Sequence, residues 1–178
     1  LGAAKNRYIE YQPERSLDDR LAIAARVEGL AGLEVCYPGD FANPAHLKDL
    51  LKRYDLGVAG VNFRSRRTGT WWRGSFTSAD AGERAAVVDD MKRSMDFAAE
   101  LGCNRVTTCP LNDGHDYVFE MDYADAYKWA EETFAEICAH ERNVRVAIEY
   151  KWNDPRTRCL LASAVIFSIS IVEVIRAC

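Results

Sequence analysis

The sequence predicts an α/β chain of the (β/α)-barrel type, and three observations carry that prediction. Strand-like and helix-like patterns alternate regularly from Ser16 to Ile148, as parallel βαβ units with right-handed crossovers do. The polar, chemically loaded segments all follow strands, which is where such barrels build their sites. The stretch from Val144 to Lys151 divides by parity. Val144, Val146, Ile148 and Tyr150 fall on one face, and Arg145, Ala147, Glu149 and Lys151 on the other. The second face ends in a carboxylate and an ammonium, just before Pro155 stops regular pairing.

Each element has its own local reason. Leu1 to Ala4 are small and apolar and read as the end of a first strand. Ser16 precedes Leu17, Leu21, Ala24 and Ala25 at helical spacing, and Asp18 and Asp19 suit the first turn of a helix. Gly32 to Tyr37 reads as the second strand, with Leu33 and Val35 on one face and Glu34 and Cys36 on the other. Asn43-Pro44 opens a helix with proline at its first position, carrying Leu47, Leu50 and Leu51. Leu56 to Phe63 is the third strand.

The segment from Arg64 to Thr77, with Trp71, Trp72 and Arg73, is too long and too aromatic for a mere connection and reads as a site loop. Ser78 is expected to cap a helix with Val88, Met91, Met95 and Ala98 on its apolar face and Gly102 past its end. Asn104 to Cys109 is the fourth strand, followed by a polar loop from Pro110 to Tyr117. Tyr123, Ala130, Phe134 and Ile137 mark the next helix, and the strand from Val144 follows it.

Composition excludes several classes. At 178 residues the chain is long enough for one domain with a sizeable core, yet short of the roughly 250 residues of a complete eight-stranded barrel. A net charge of −4 and a pI near 5.5 argue against nucleic acid as a partner. Six scattered cysteines without a Cys-x-x-Cys pair fit reduced thiols in a cytoplasmic protein. The uncharged run from Cys159 to Val172 is shorter than the roughly 20 residues of a spanning helix, so no membrane segment is expected.

The segment Glu149-Tyr-Lys151 followed by Asn153-Asp-Pro-Arg156 resembles the Glu-Pro-Lys-Pro-Asn-Glu-Pro-Arg stretch of xylose isomerases and the Glu-x-Lys end of the fifth strand in xylose isomerase-like TIM barrels, the sugar isomerase/epimerase superfamily. The resemblance runs from about Lys5 to Leu161, and Trp152 stands where the family usually has proline. It implies a divalent cation, Mg2+ or Mn2+, with Glu149 as a metal ligand and Lys151 against the oxygens of a sugar or polyol. The family's other ligands come from later strands, in an Asp-x-x-His segment and a final carboxylate, and neither is found in this sequence. The same barrel is shared by abasic-site endonucleases, a reading the acidic balance disfavours.

From about residue 162 the composition turns β-branched where the resemblance calls for a helix. Residues 1–161 are therefore expected to form a partial xylose isomerase-like barrel ending after about its fifth strand, and 162–178 an atypical apolar tail. The expected function is metal-dependent sugar isomerisation or epimerisation, weak or lost in this chain. The alternative is a non-catalytic half-barrel that acts by homo-oligomerisation or partner binding through its open edges.

Individual residues carry paired readings. Glu149 and Lys151 read as a buried ion pair or as the catalytic pair, and the Asn-Asp-Pro-Arg continuation favours the second. Glu34, inward by parity, either holds a sugar hydroxyl or pairs with Arg105 or Arg145. Asn62, Arg64 and Arg66 suit polar substrate oxygens or a phosphate, since arginine binds such groups bidentately. Trp71 and Trp72 suit the apolar face of a sugar, and Asn153 a further hydroxyl. His115 is an acid/base candidate between Asp113 and Asp116, or a surface residue of the turn.

Overall fold

The computed structural model describes residues 9–67, 69–153 and 156–163. The strand expected at Leu1 to Ala4, the Asp154-Pro155 turn and most of the apolar tail lie outside these residues.

The chain alternates as its pattern predicts. Helix α1 (Leu17–Ala24) starts at Ser16, whose hydroxyl accepts from the Asp19 amide. Strand β1 (Gly32–Tyr37) leads through a 3-10 turn into α2 (Pro44–Tyr54), capped by Asn43. Strand β2 (Gly57–Phe63) precedes the long helix α3 (Ala81–Glu100), and β3 (Arg105–Thr108) follows it. A two-residue strand, β4 (Gly114–His115), comes before α4 (Tyr123–His140). Strands β5 (Arg145–Ile148) and β6 (Arg158–Cys159) close the described chain. The cap of α3 differs from expectation. Asp80, not Ser78, accepts from the first helical amides at Gly82 and Glu83, while the Ser78 hydroxyl bonds Glu83 and the Asp80 amide. A carboxylate two residues on makes the stronger cap at the positive end of the helix dipole.

Four strands form one parallel sheet in the order β1-β2-β3-β5. Their registers align in rows. Val35, Val61, Val106 and Val146 make one row, and Cys36, Asn62, Thr107 and Ala147 the next. The valine row faces the helices, where Val35, Val61 and Val106 are fully buried with Leu47, Leu50, Met91, Met95 and Phe63. The alternate row therefore faces the concave side. The register slips between Leu33 and Glu34, leaving Ala59 as an extra residue of β2.

Sequence periodicity gave no sign of the second sheet, the antiparallel pair β4-β6. Its strands come from two loops and meet at Gly114, where any Cβ would collide with the Arg158 carbonyl. Buried Asp113 fixes the geometry beside it. Its carboxylate accepts from the amides of Ser75 and Thr77 at 2.9 and 2.7 Å and from both their hydroxyls, while its carbonyl accepts from the Leu160 amide at 2.9 Å. Three loops at the C-terminal end of the sheet thus converge on one residue. Arg156 adds ion pairs to Asp116 at 3.0 Å and Glu120 at 2.7 Å.

Asp113→Ala leaves four buried donors without their acceptor and is expected to cost about 4 kcal/mol in urea unfolding, with Asp113→Asn costing about half as much. Burial, against its hydrogen bonds, raises the Asp113 pKa above 3.8. The folded state therefore favours the proton, so this group's contribution is greatest below the ordinary carboxylate pKa and falls as pH rises through the folded one. The Asn variant should lose that slope. Equal stability loss in both variants would contradict the clasp.

Candidate active site

Parity places the inward-facing side chains of the four strands on one concave face, and their contacts show how the face is built. Glu34 reaches across β2 at Gly60, where the missing side chain leaves it room; a Cβ there would stand 3.4 Å from the carboxylate. Its Oε1 accepts from the Thr107 hydroxyl at 2.7 Å, and Thr107 in turn accepts from Asn62 Nδ2 at 2.9 Å. Glu34 therefore pairs with a threonine rather than with Arg105 or Arg145, although all three share one row of the sheet. Thr107 was not singled out from the sequence. Its inward parity two residues before Cys109 was the available signal.

At the next level of this face Glu149 and Lys151, both exposed rather than a buried ion pair, act electrostatically on Cys109. The Glu149 amide donates to the Thr108 carbonyl at 2.8 Å, which continues the ladder one step past β5. The Lys151 amide donates to Leu161, and the Cys159 amide to Trp152, so the chain beyond Glu149 folds back on itself. The Cys109 thiol is pushed up to about 11, first by burial and then by the Glu149 carboxylate, with Lys151 and Arg66 acting against them. Glu149, Lys151, Arg66 and Cys109 thus share one electrostatic neighbourhood. Cys36 behaves alike: burial raises its pKa, and the neighbouring Arg64 guanidinium opposes the shift. Cys36, Cys103 and Cys109 are free thiols.

The other expected site residues separate. Trp71 is 3% exposed and lies under the Arg67 guanidinium at 4.7 Å, so its ring belongs to the core. Trp72 is 64% exposed, with Arg73 over its ring at 4.3 Å. Asn153 is exposed. His115 is only 5% exposed, unlike a surface turn residue; its Nε2 meets the Tyr123 hydroxyl of α4, and its Nδ1 is buried without a hydrogen-bond partner among the described residues. Pairing of β4 with β6 brings His115 opposite Arg158, whose guanidinium covers the Trp152 ring at 3.9 Å.

A divalent cation needs several oxygen or nitrogen ligands converging on one point. Among the described residues no group of three or more His, Cys, Asp or Glu side chains does so. The groups that act with Glu149 on Cys109 are a lysine, an arginine and a cysteine, and the Cys109 thiol itself is held in its protonated form. This donor set does not fit such an ion by itself. No helix among the described residues is long and apolar enough to cross a membrane.

The neighbourhood of Cys109 is directly measurable. Because its pKa lies near 11, alkylation by iodoacetamide at neutral pH is expected to be slow and to rise with pH well into the alkaline range. Glu149→Gln removes a charge that holds the proton on and should speed the reaction at a given pH. Lys151→Met should slow it. Peptide-level mass spectrometry with no change in either variant would separate these groups from Cys109.

The family model for the xylose isomerase-like TIM barrel matches residues 21–168. No protein of curated function matches the chain. Among solved structures, it is similar to a D-psicose 3-epimerase studied in the presence of D-fructose, with a TM-score of 0.67 at 17% identity over 90% of this chain and 55% of the other. It is also similar to a family 2 AP endonuclease from Brucella melitensis (TM-score 0.58, 20% identity, 76% and 50% of the two chains). A third is a xylose isomerase domain protein from Alicyclobacillus acidocaldarius (TM-score 0.63, 14% identity, 92% and 56%). The chain spans about half the length of these structures, and at such identities the likeness shows the fold. With a match over most of its length, the chain belongs to the xylose isomerase-like TIM barrel family.

Proposed function

We propose that this chain is a sugar isomerase/epimerase-type protein that grips a ketose or related polyol across the C-terminal end of its sheet. The observation that carries the reading is the Glu34–Thr107–Asn62 relay lying on the same concave face as Glu149 and Lys151. Alternating acceptors and donors from three strands match a row of sugar hydroxyls. A carboxylate just past the end of β5 is available to move a proton. The epimerases among the similar structures favour this class over the endonuclease.

In this reading Glu149 takes the proton from the carbon next to the sugar carbonyl. The C–H electron pair moves into an enediolate, whose oxygen charge faces Lys151. A proton delivered by water to the opposite face of the same carbon, while the one on Glu149 passes to solvent, inverts it. Returning the Glu149 proton to the neighbouring carbon, with a hydroxyl proton transferred in the other direction, interconverts aldose and ketose. Trp72 and Asn153 lie open to solvent for contact with the sugar. His115, tied to Tyr123, serves to position the loop before α4. Of the ligands that Mg2+ or Mn2+ would need, Glu149 is the one this reading finds among the described residues, so the proton transfer is assigned to Glu149 and Lys151 without a metal. With Glu149 and Lys151 alone, turnover is slow.

A second reading rests on a different observation. Arg105, Arg145 and Ala147 are exposed on sheet positions that parallel sheets ordinarily cover. An uncovered concave face suits a non-catalytic half-barrel that closes against another copy.

Ketose incubated with the chain in D2O is expected to gain deuterium slowly at the carbon next to the carbonyl, followed by NMR. Glu149→Gln should abolish exchange with sugar affinity nearly unchanged, and Glu34→Gln should weaken binding by about 10-fold, the worth of a charge-assisted hydrogen bond. Binding without exchange in the wild-type chain would remove the catalytic part of the proposal. Sedimentation that shows a concentration-dependent dimer would then support the half-barrel.

A further inference from the structure

The segment leaving β2 holds three arginines, and the structure treats them differently. Past Phe63 the chain keeps its strand-like alternation: Phe63 and Ser65 are buried, and Arg64 and Arg66 are exposed on the side of Asn62. The Arg64 amide still donates to the Tyr37 carbonyl of β1 at 3.0 Å. Arg67 returns to the helix side. Its guanidinium lies over the rings of Tyr37, Phe63 and Trp71 at 5.9, 5.6 and 4.7 Å, and Nη1 donates to Asp90 at 2.5 Å. Its Nε donates to the Arg64 carbonyl at 3.2 Å. Arg67 is thus an anchor that fixes the backbone carrying the other two.

Arg64 and Arg66 are placed differently. Among the described residues neither forms an ion pair with a carboxylate, although the chain carries a net charge of −4 and many acidic groups. They reach instead toward the strands on either side of β2, Arg64 toward Cys36 of β1 and Arg66 toward Cys109 after β3. Two residues apart on one face of an extended chain, their Cα atoms are roughly 7 Å apart. Two cations on one exposed face of a clamped backbone, neither paired with a carboxylate among the described residues, suit an oxyanion that accepts from both forks. The site formed by Glu34, Thr107, Asn62 and Glu149 adjoins them on the same face.

We propose that the sugar recognised by this face carries an anionic group, a phosphate or a carboxylate, held between Arg64 and Arg66. The proposal rests on the sugar-site reading above and names its substrate class. A nucleic-acid phosphate would offer the same chemistry. The acidic chain lacks the basic field that duplex binding requires, so a small anionic sugar is the better match.

Calorimetric titration of the whole chain decides it, with five probes: a neutral ketohexose, its 6-phosphate, the corresponding hexonate, inorganic phosphate, and a short DNA duplex with an abasic site. At least one anionic sugar is expected to bind about 10-fold or more tightly than the neutral one, and phosphate against hexonate identifies the group. The R64Q/R66Q double variant, at exposed positions that the fold does not need, should erase that preference and leave neutral-sugar affinity within about twofold. Equal affinities, a preference that survives the double substitution, or tighter binding of the duplex would overturn the proposal. Neutral-sugar binding that depends on Glu34 but shows no anionic preference would overturn this inference alone. Inorganic phosphate binding through the two arginines with no sugar bound would overturn both readings.

Discussion

The shared register of four parallel strands is the constraint from which the rest of the structure follows. Because side chains alternate along a strand, one row of valines turned to the helices obliges the next row to face the concave side. Glu34, Asn62, Thr107 and Arg64 are presented there by the same pairing that buries Val35, Val61 and Val106. A one-residue slip in any strand would bury a charge and expose the core. The extra residue at Ala59 shows how closely this is held: the slip falls before Glu34, and from Glu34 onward the rows run without interruption.

The loops obey a second constraint. Long segments after β2, β3 and β5 would be free to move if each depended on its own turns. Instead, the Asp113 carboxylate gathers the first two through Ser75 and Thr77, and its carbonyl holds the third through Leu160. Arg156 crosses to Asp116 and Glu120 on the outer side. Arg67, stacked over three rings and bonded to Asp90, fixes the start of the β2 loop. Groups that chemistry would place at a site, a buried aspartate and an arginine over aromatic rings, here serve rigidity. Neighbouring Glu149, Arg64 and Arg66 remain turned to the concave face.

Much of this was legible in the sequence because it is local. The cap at Ser16, the helix opened by Asn43-Pro44, the stop at Gly102 and the parity of Val144 to Ile148 depend on neighbours a few residues away, and each falls as expected, whereas Tyr150, expected on the apolar face, lies exposed past the end of the strand. Family resemblance at Glu149 and Lys151 added what periodicity cannot give. The less legible features are long-range. Asp113 looked like one more polar residue of a turn, because its partners lie 36 and 38 positions earlier. His115 looked exposed because its cover comes from α4 and β6. Trp71 and Trp72, adjacent and chemically identical, part into core and solvent through the backbone turn at Trp71, where φ is 55°.

The central claim is that recognition takes place on the concave face at the strand ends. Amide chemical-shift mapping by NMR, with a ketose phosphate added to the isotope-labelled chain, tests it most directly. The account predicts shifts clustered at Glu34, Asn62, Arg64 to Arg66, Thr107 to Cys109 and Glu149 to Lys151, with the helix-side residues of α2 and α3 unmoved. Shifts confined to the exposed aromatic loop of Tyr117 and Phe119, or none at saturating sugar, would contradict it.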